Sequence, residues 1–371
     1  MQKPISAADA TPVRFVIVTL DSHLAGAVER ARRALIRDLP GLDLKLHVAA
    51  EWADNPEALA RCKDDIATAD IVLASMLFME DHIQAVMPDL QARRDDCDAM
   101  VACMSAGEVI KLTRMGRFDM GVEAKGALAM LKRLKGSKSK NKSGGQQQLA
   151  MLKRLPKLLR FIPGTAQDVR AYFLTLQYWL AGSDANVANM VRLLVDRYAA
   201  GDRRHLRATL KPKPPAEYPD TGLYHPRVEG RITDDPRQIP APEGERRGTV
   251  GLLVMRSYVL AGDTDHYDAV IDSLERKGLK VVPAFAAGLD ARPAVETYFR
   301  ERGETRVDAV VSLTGFSLVG GPAFNDAEAA ADLMAELDVP YLTGQAVEFQ
   351  TLEQWQASDR GLLPVEATMM V

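Results

Sequence analysis

The feature that most constrains the fold is a regular alternation between short β-branched runs and amphipathic segments of helical length. VRFVIVTL (13–20) is a continuous apolar run, typical of a strand buried on both faces, and a helical segment follows from about residue 24 to 38. The same order recurs with LDLKLHVAA (42–50), ADIVLASM (69–76) and DAMVACM (98–104). Strands that alternate with helices form parallel sheets covered on both faces, so the sequence predicts an α/β fold of Rossmann-like type.

The alternation stops near residue 200 and resumes near residue 249. The segment 201–248 carries eight prolines. Proline removes backbone donors and blocks regular structure, so this segment is predicted to be an extended connector. After it, GTVGLLVM (248–255), LKVVPAF (279–285) and VDAVVSL (307–313) read as strands of a second sheet.

The predicted organisation is therefore two Rossmann-like domains with mainly parallel sheets, joined by helices and a proline-rich connector. The first domain covers 13–200 and the second covers 249–371. Residues 1–12 are predicted to be a disordered tail.

A basic insertion interrupts the first domain at 125–160. No acidic residue occurs between Glu123 and Asp168, and the heptapeptide LAMLKRL occurs at 128–134 and again at 149–155. The pattern predicts basic helices on either side of a polar loop. Three interpretations stay open: a solvated face, a docking surface for a protein partner, and a membrane-surface contact through Lys/Arg with interleaved Leu/Met.

Charge and cysteine content exclude several classes of protein. The net charge of -3 is close to neutral, and neither domain carries a nucleic-acid motif, so no nucleic-acid partner is expected. Cys62, Cys97 and Cys103 form no CxxC pair, which favours ordinary reduced thiols and a cytoplasmic protein. No apolar stretch reaches the length of a bilayer span, so any membrane contact would be peripheral.

The segment SLTGFSLVGGPAFND (312–326) is the most informative candidate site. It leaves the carboxyl end of a predicted parallel strand, where ligands of open α/β sheets bind. Gly315, Gly320 and Gly321 allow close approach of the backbone to a ligand. The segment lacks the glycine spacing of dinucleotide and ATP loops, so neither NAD nor ATP is expected here. The alternative is a tight turn that serves packing only.

A second candidate is MRSYVLAGDTDHYDAV (255–270), which also leaves a strand end. Arg256 is a permanent cation suited to a carboxylate ligand. Four side chains nearby are candidates for metal binding or proton transfer: Asp263, Asp265, His266 and Asp268. Asp265 and His266 equally suit the first turn of the next helix, where acidic residues are favoured.

Two residues of the first domain are weaker candidates. His23 and Glu51 follow its first and second strands, whereas His47 lies within the second strand and is predicted to be structural. No residue is assigned as catalytic, and no metal ligand is assigned, because the spacing of a transition-metal site is missing.

Long segments on both sides of the connector resemble one known family. VIVTLDSHLAGAVERA (16–31), CMSAGEVIKLTRMGRFDM (103–120) and FIPGTAQDVRAYFLTLQYWLAGSDANVANMV (161–191) resemble the N-terminal region of the H (large, porphyrin-binding) subunit of magnesium chelatase, bacteriochlorophyll type. GLLVMRSYVLAGDTDHYDAVIDSLE (251–275) and VVSLTGFSLVGGPAFNDAEAA (310–330) resemble the start of the region shared with the cobaltochelatase large subunit.

The resemblance implies an activity that belongs to a larger assembly. In that family, Mg²⁺ is inserted into protoporphyrin IX on the way to (bacterio)chlorophyll. ATP is used by two smaller ATPase-type partner subunits rather than by a motif in this subunit. Members are several times longer than this chain. The part at 249–371, which ends on the apolar run LLPVEATMMV (362–371), is therefore expected to be an incomplete domain, and this chain alone is expected to be inactive.

The resemblance and the chemistry together select candidate contacts. The porphyrin propionates call for Arg or Lys, and its ring calls for an apolar slot. The expected porphyrin contacts are Arg256, Gly315, Phe316, Gly320 and Gly321, with His266 and Glu348 as candidate polar groups. The alternative is a non-catalytic docking or regulatory module that binds partner proteins but not porphyrin.

Overall fold

The computed structural model describes residues 10–20, 22–121, 154–242, 244–321, 324–347, 349–363 and 367. The chain divides into two compact units, Met1–Glu217 and Tyr218–Val371, and each contains one six-stranded, mostly parallel sheet. The predicted α/β class is thus confirmed. Most of the predicted tail and most of the predicted basic insertion lie outside the described residues; within the insertion, 154–159 is helical.

Besides the helical stretch 154–159, the described residues of the first unit form six strands and six α-helices. In chain order they are β1 (Val13–Thr19), α1 (Ala25–Leu35), β2 (Leu42–Val48), α2 (Pro56–Thr68), β3 (Ile71–Ser75), α3 (Glu80–Arg93), β4 (Ala99–Cys103), α4 (Gly107–Ile110), β5 (Arg114–Met115), β6 (Phe118–Asp119), α5 (Thr165–Ala181) and α6 (Asp184–Tyr198). The sheet has the order β2-β1-β3-β4-β5-β6, with β1 to β4 parallel and the last two pairings antiparallel.

Burial explains the order of these strands. Every residue of β3 and β4 is buried, so their continuous apolar sequences suit the centre of the sheet. At the edge, β2 carries Lys45 and His47, which lie 2.7 and 2.9 Å from the two carboxylate oxygens of Asp65 on α2. Charged side chains on an edge strand discourage pairing with another chain. The interpretation of His47 as a structural residue agrees with its hydrogen bond to Asp65.

The aromatic segment near residue 170 forms α5 and packs on the sheet. The Trp179 indole N–H donates to Ser75 Oγ at 2.8 Å, and the Tyr172 hydroxyl donates to Ala102 O at 3.3 Å. These bonds satisfy polar groups that would otherwise be unpaired at the helix–sheet boundary. All three cysteines are free and buried, as expected for reduced thiols.

The second unit also alternates strands and helices around one main sheet. Its elements are β7 (Thr221–Tyr224), β8 (Ile232–Thr233), β9 (Gly248–Leu253), α7 (Arg256–Ala261), α8 (Asp265–Glu275), β10 (Leu279–Ala286), α9 (Arg292–Tyr298), β11 (Arg300–Glu301), β12 (Glu304–Thr305), β13 (Ala309–Ser312), β14 (Gly320–Gly321), β15 (Phe324–Asn325), α10 (Ala327–Leu337), β16 (Tyr341–Thr343) and α11 (Leu352–Ala357). The order of the main sheet is β16-β13-β9-β10-β7-β8, in which the first four strands are parallel.

The prediction that 201–248 is only an extended connector is wrong in part. β7 and β8 lie within it and extend the second sheet, with β7 antiparallel to β10. The prolines nearest to β7, Pro219 and Pro226, fall outside the strand, so they remove no ladder hydrogen bond. Gly222 of β7 leaves room for the Phe285 ring of β10, because a Cβ at this position would lie 2.5 Å from Cζ of Phe285.

A buried histidine joins this added strand to α8. His225 follows β7 and is fully buried, with Nε2 3.2 Å from Glu275 Oε1. Its Nδ1 accepts the Arg227 N–H at 3.2 Å, so Nε2 carries the proton in the neutral ring. The Arg227 guanidinium donates to the same Glu275 oxygen at 2.8 Å.

Stability should therefore fall in mild acid, in part through His225. Burial lowers the pKa of His225 below its value of about 6.5 in an unfolded chain. The unfolded chain then binds the proton more readily, so the free energy of unfolding should decrease as the pH drops below about 6.5. Urea unfolding followed by circular dichroism at about pH 7.5 and pH 5.5 measures this, and His225→Gln should show a smaller decrease. His205→Gln, at an exposed position, is the control; an unchanged pH dependence in His225→Gln would contradict the prediction.

Among the described residues, no helix combines the length and the apolar character needed to cross a membrane.

Candidate functional site

The candidate site lies at the carboxyl ends of the parallel strands of the second unit. Along the chain, the parallel strands of the main sheet follow in the order β9, β10, β13. In the sheet, β10 and β13 lie on opposite sides of β9, so the strand order reverses between β9 and β13. Such a reversal opens a crevice outside the strand ends, where ligands of open α/β sheets bind. A recess is found there, lined by the ends of β9 (253–255) and β10 (284–286), the loop 288–291, and Thr314, Phe316 and Ser317.

Two loops are joined to form one wall of the recess. The Ala291 N–H donates to Leu318 O and the Gly320 N–H donates to Leu289 O, both at 2.8 Å. Gly320 has φ +122°, a conformation that L side chains rarely adopt. A Cβ at Gly321 would lie 2.4 Å from Cδ1 of Leu289, so this glycine lets Leu289 stand over the recess.

A polar turn with Thr314, Phe316 and Ser317 also lines the recess. Thr314 Oγ1 lies 3.0 Å from Ser312 Oγ and accepts the Phe316 N–H at 3.3 Å. Gly315 has φ +72°, and a Cβ there would lie 3.2 Å from the Gln345 side-chain oxygen. The close approaches at Gly315 and Gly321 are to Gln345 and Leu289 of the protein itself, as in a tight turn that serves packing, and close approach to a ligand stays a prediction.

The recess is shallow and largely apolar. Its enclosed part measures about 30 Å³, room for about two water molecules. Leu289, which is 37% exposed, and the half-buried Phe316 stand at its rim. Asp290 is paired with the Arg292 guanidinium at 2.7 Å, so its charge is compensated within the loop. Such a surface can contact one edge or face of a flat ligand but cannot enclose it.

Arg256 stands at the start of α7, next to the recess residue Met255. Its Nε donates to Pro219 O at 2.9 Å and one Nη donates to Tyr218 O at 3.2 Å. Both acceptors are neutral carbonyls, and no described carboxylate lies within ion-pair distance of Arg256, although the charge of Asp220 acts on it from further away. Burial lowers the pKa of this guanidinium, although it stays protonated at neutral pH. Arg256 does not line the recess; it is a positive charge beside Met255 that no described carboxylate pairs with directly.

His266 does not line the recess. It lies in the first turn of α8, with its ring tilted 47° to that of Tyr267 at a centroid distance of 3.9 Å and edge-on to Tyr258 at 5.8 Å. Burial lowers the pKa of His266, so the ring is neutral at neutral pH. Its connection to the recess is indirect, because the Tyr267 hydroxyl accepts the Met255 N–H at 3.1 Å.

The remaining candidates do not join this group. Asp268 accepts from the Arg231 guanidinium at 3.0 Å and from Tyr224, so it has a structural role. His23 and Glu51 belong to the first unit, and Glu348 lies outside the described residues. Within the described ranges, no group of three or more His, Cys, Asp or Glu side chains is arranged to hold a metal ion.

Sequence reasoning missed the loop 288–291. Gly288, Leu289 and Asp290 follow the strand β10, and the rule that selected the other two loops applies equally to them. Gly288 and Asp290, shortly after an apolar strand, were the features of the sequence that could have indicated this loop.

Comparisons with known proteins match the chain in two parts that meet near residue 175, within the first structural unit rather than at its end at Glu217. A domain of unknown function (DUF3479) matches residues 14–173, and the CobN/Magnesium Chelatase family matches residues 176–371. The catalytic subunit of cobaltochelatase from Mycobacterium tuberculosis aligns over 97% of this chain and 23% of its own, at 17% identity and a TM-score of 0.45.

Three sequence relatives are named as subunits of magnesium chelatase. The chain is 52% identical to the H subunit of magnesium chelatase from Cereibacter sphaeroides, over 100% of the chain and 31% of that protein. It is 49% identical to the H subunit of magnesium chelatase from Rhodobacter capsulatus, over 96% of the chain and 29% of that protein. It is 34% identical to the chloroplastic ChlH subunit of magnesium chelatase from Oryza sativa subsp. indica, over 97% of the chain and 27% of that protein. The chain thus spans about a third of the length of these relatives. The resemblance seen in the sequence is confirmed, and the chain belongs to the CobN/magnesium chelatase family.

Proposed function

We propose that this chain is part of the porphyrin-binding subunit of a magnesium chelatase of (bacterio)chlorophyll biosynthesis. In this proposal the recess of the second unit forms one edge of the site for protoporphyrin IX. The names of the relatives and the match over residues 176–371 support the assignment. Mg²⁺ and protoporphyrin IX are then substrates, and ATP is hydrolysed by two smaller partner subunits. The three buried free cysteines are compatible with a cytoplasmic setting.

The observation that carries the proposal is an apolar rim beside a cation that has no direct ion-pair partner among the described residues. A porphyrin presents a flat apolar ring with propionates on one side, which calls for an apolar surface beside a positive charge. Phe316 and Leu289 supply the first, and Arg256, next to the recess residue Met255, supplies the second. The recess is open, which suits a ring whose other side is held by parts of the subunit beyond this chain.

The chemistry assigned to this chain is limited to binding and orientation. Metal insertion requires a base for two pyrrole protons and oxygen ligands for Mg²⁺. The one carboxylate among the described lining residues, Asp290, is paired with Arg292, and His266 lies outside the lining, so the proposal assigns neither role to this chain. We therefore expect no chelatase activity from this chain alone.

Porphyrin binding to the 371-residue chain tests the proposal. Protoporphyrin IX is titrated and followed by its Soret absorbance. Phe316→Ala should weaken binding by about ten-fold, since losing a partly buried aromatic contact costs about 1.4 kcal/mol. Gly321→Ala should also weaken binding, because its new Cβ displaces the flexible Leu289 side chain from over the recess.

A matched control is Gly107→Ala in the first unit, where a Cβ would meet nothing within 4 Å. Thermal unfolding of each variant checks that the fold is retained. If the wild-type chain leaves the Soret band unchanged at micromolar porphyrin, the docking-module alternative replaces the proposal.

A further inference from the structure

The most exposed large apolar side chain among the described residues is Phe161, at 83%. It belongs to the stretch 154–162, RLPKLLRFI, hereafter the basic–apolar segment. Leu158 and Ile162 of the same segment are 58% and 40% exposed. A folded chain rarely leaves neighbouring large apolar side chains in water unless they contact a partner or a membrane.

The exposure is not caused by a loosely attached segment. Leu155 and Leu159 are each 2% exposed and anchor the helical part on the first unit. The Gln167 side-chain amide donates to Leu159 O at 2.8 Å and to Ile162 O at 2.5 Å. These bonds fix the turn in which Phe161 stands, so the apolar side chains are presented on a preorganised surface and little entropy is lost when they bind.

Positive charge accompanies the apolar side chains. Arg154, Lys157 and Arg160 are all exposed, and none of them forms an ion pair with a described residue. The Arg160 guanidinium carbon lies 5.9 Å from the centre of the Phe161 ring. The nearest acidic residues along the sequence are Glu123 and Asp168, so the segment has a local excess of positive charge.

We propose that the basic–apolar segment is a contact site for the surface of an anionic membrane. At such a surface, anionic headgroups attract Lys and Arg while Phe, Leu and Ile enter the boundary of the acyl chains. The segment presents both groups at exposed positions, with Lys157 and Arg160 interspersed among Leu158, Phe161 and Ile162. Basic side chains interspersed with large apolar ones match an anionic bilayer, which has charge at its surface and acyl chains below, and this favours a bilayer over a protein groove.

The test is co-sedimentation of the 371-residue chain with vesicles. Vesicles of phosphatidylcholine with phosphatidylglycerol should retain the chain, vesicles of phosphatidylcholine alone should not, and raising the salt from about 0.05 to 0.5 M should reduce binding. Lys157→Glu/Arg160→Glu should lower the partition coefficient at least about ten-fold, since each Lys or Arg near an anionic surface contributes roughly five-fold. Phe161→Ala should lower it about five-fold or more.

Matched controls lie elsewhere in the same unit. Arg204→Glu/Lys211→Glu changes exposed basic residues in the segment 201–213, and Phe78→Ala changes an aromatic side chain that is 52% exposed. Both should bind like the wild type. Absent binding, or equal losses in the control variants, would overturn the proposal. So would a concentration-dependent mass in sedimentation velocity that Phe161→Ala abolishes without changing vesicle binding, because the segment would then contact a second copy.

Discussion

Replacing Arg203 by Met should cost the first unit about 3–5 kcal/mol of its free energy of unfolding. Arg203 follows α6 and reaches two buried carboxylates. One Nη lies 3.1 Å from Asp70 Oδ1, and Nε lies 3.1 Å from Asp98 Oδ2. The two Asp side chains are only 8% and 7% exposed. Removing the cation leaves two neighbouring buried anions without compensation, which costs more than the pair contributes when intact.

The backbone contacts of these carboxylates amplify the effect. Asp70 accepts the Arg14 N–H at 2.8 Å and Asp98 accepts the Ala200 N–H at 2.9 Å. The carboxylates therefore join the amino ends of β3 and β4 to β1 and to the segment after α6. If they turn outward to reach water, those backbone donors lose their partners as well.

Urea unfolding in a Trp355→Phe background measures this change. The remaining tryptophans, Trp52 and Trp179, are both buried in the first unit, so their fluorescence reports that unit alone. The control is Arg204→Met, whose side chain is exposed and forms no ion pair with a described residue; it should stay within about 0.5 kcal/mol of the wild type. A loss of less than about 1 kcal/mol in Arg203→Met would show that water already solvates the two carboxylates.

The buried strands could be predicted from the sequence because each carries its signal locally. VRFVIVTL and ADIVLASM are β-branched runs of strand length, and the structure places β1 and β3 within them. The Arg203 bridge could not be predicted in this way. It joins residues 105 positions apart, and only the folded sheet brings the amino ends of β3 and β4 together. The one local hint is that Asp70 and Asp98 precede their strands at equivalent positions.

Part of the candidate site could also be predicted from local sequence, and part could not. The turn with Gly315 and Phe316 could be predicted from strand-end position, because the carboxyl ends of parallel strands share one edge of the sheet. The partners of Arg256 could not, because Tyr218 and Pro219 come from a proline-rich stretch that carries no strand signal of its own. β7, which follows these residues, forms because the outer edge of β10 offers it a ladder of backbone hydrogen bonds.

A single experiment can separate the observed contacts of Arg256 from its proposed role in binding. Its hydrogen bonds to Pro219 O and Tyr218 O hold the start of the second unit, whereas its charge is the feature proposed to attract a propionate. Arg256→Gln keeps a side chain that can donate one hydrogen bond but removes the charge. We expect this variant to bind protoporphyrin IX about 10- to 100-fold more weakly, the range for losing a hydrogen bond to a charged group.

The comparison ligand is protoporphyrin IX dimethyl ester, which keeps the ring and lacks the carboxylates. The wild-type chain should prefer the diacid to the diester, and Arg256→Gln should lose most of that preference because the ring contacts of Phe316 and Leu289 are unchanged. Arg276→Gln, at a residue on the same unit whose side chain is 72% exposed, should keep the preference. If Arg256→Gln binds the diacid and the diester with equally reduced affinity, Arg256 acts only through its hydrogen bonds to the backbone. Loss of those bonds would disorder 218–219 and lower the affinity for both ligands, whatever their charge.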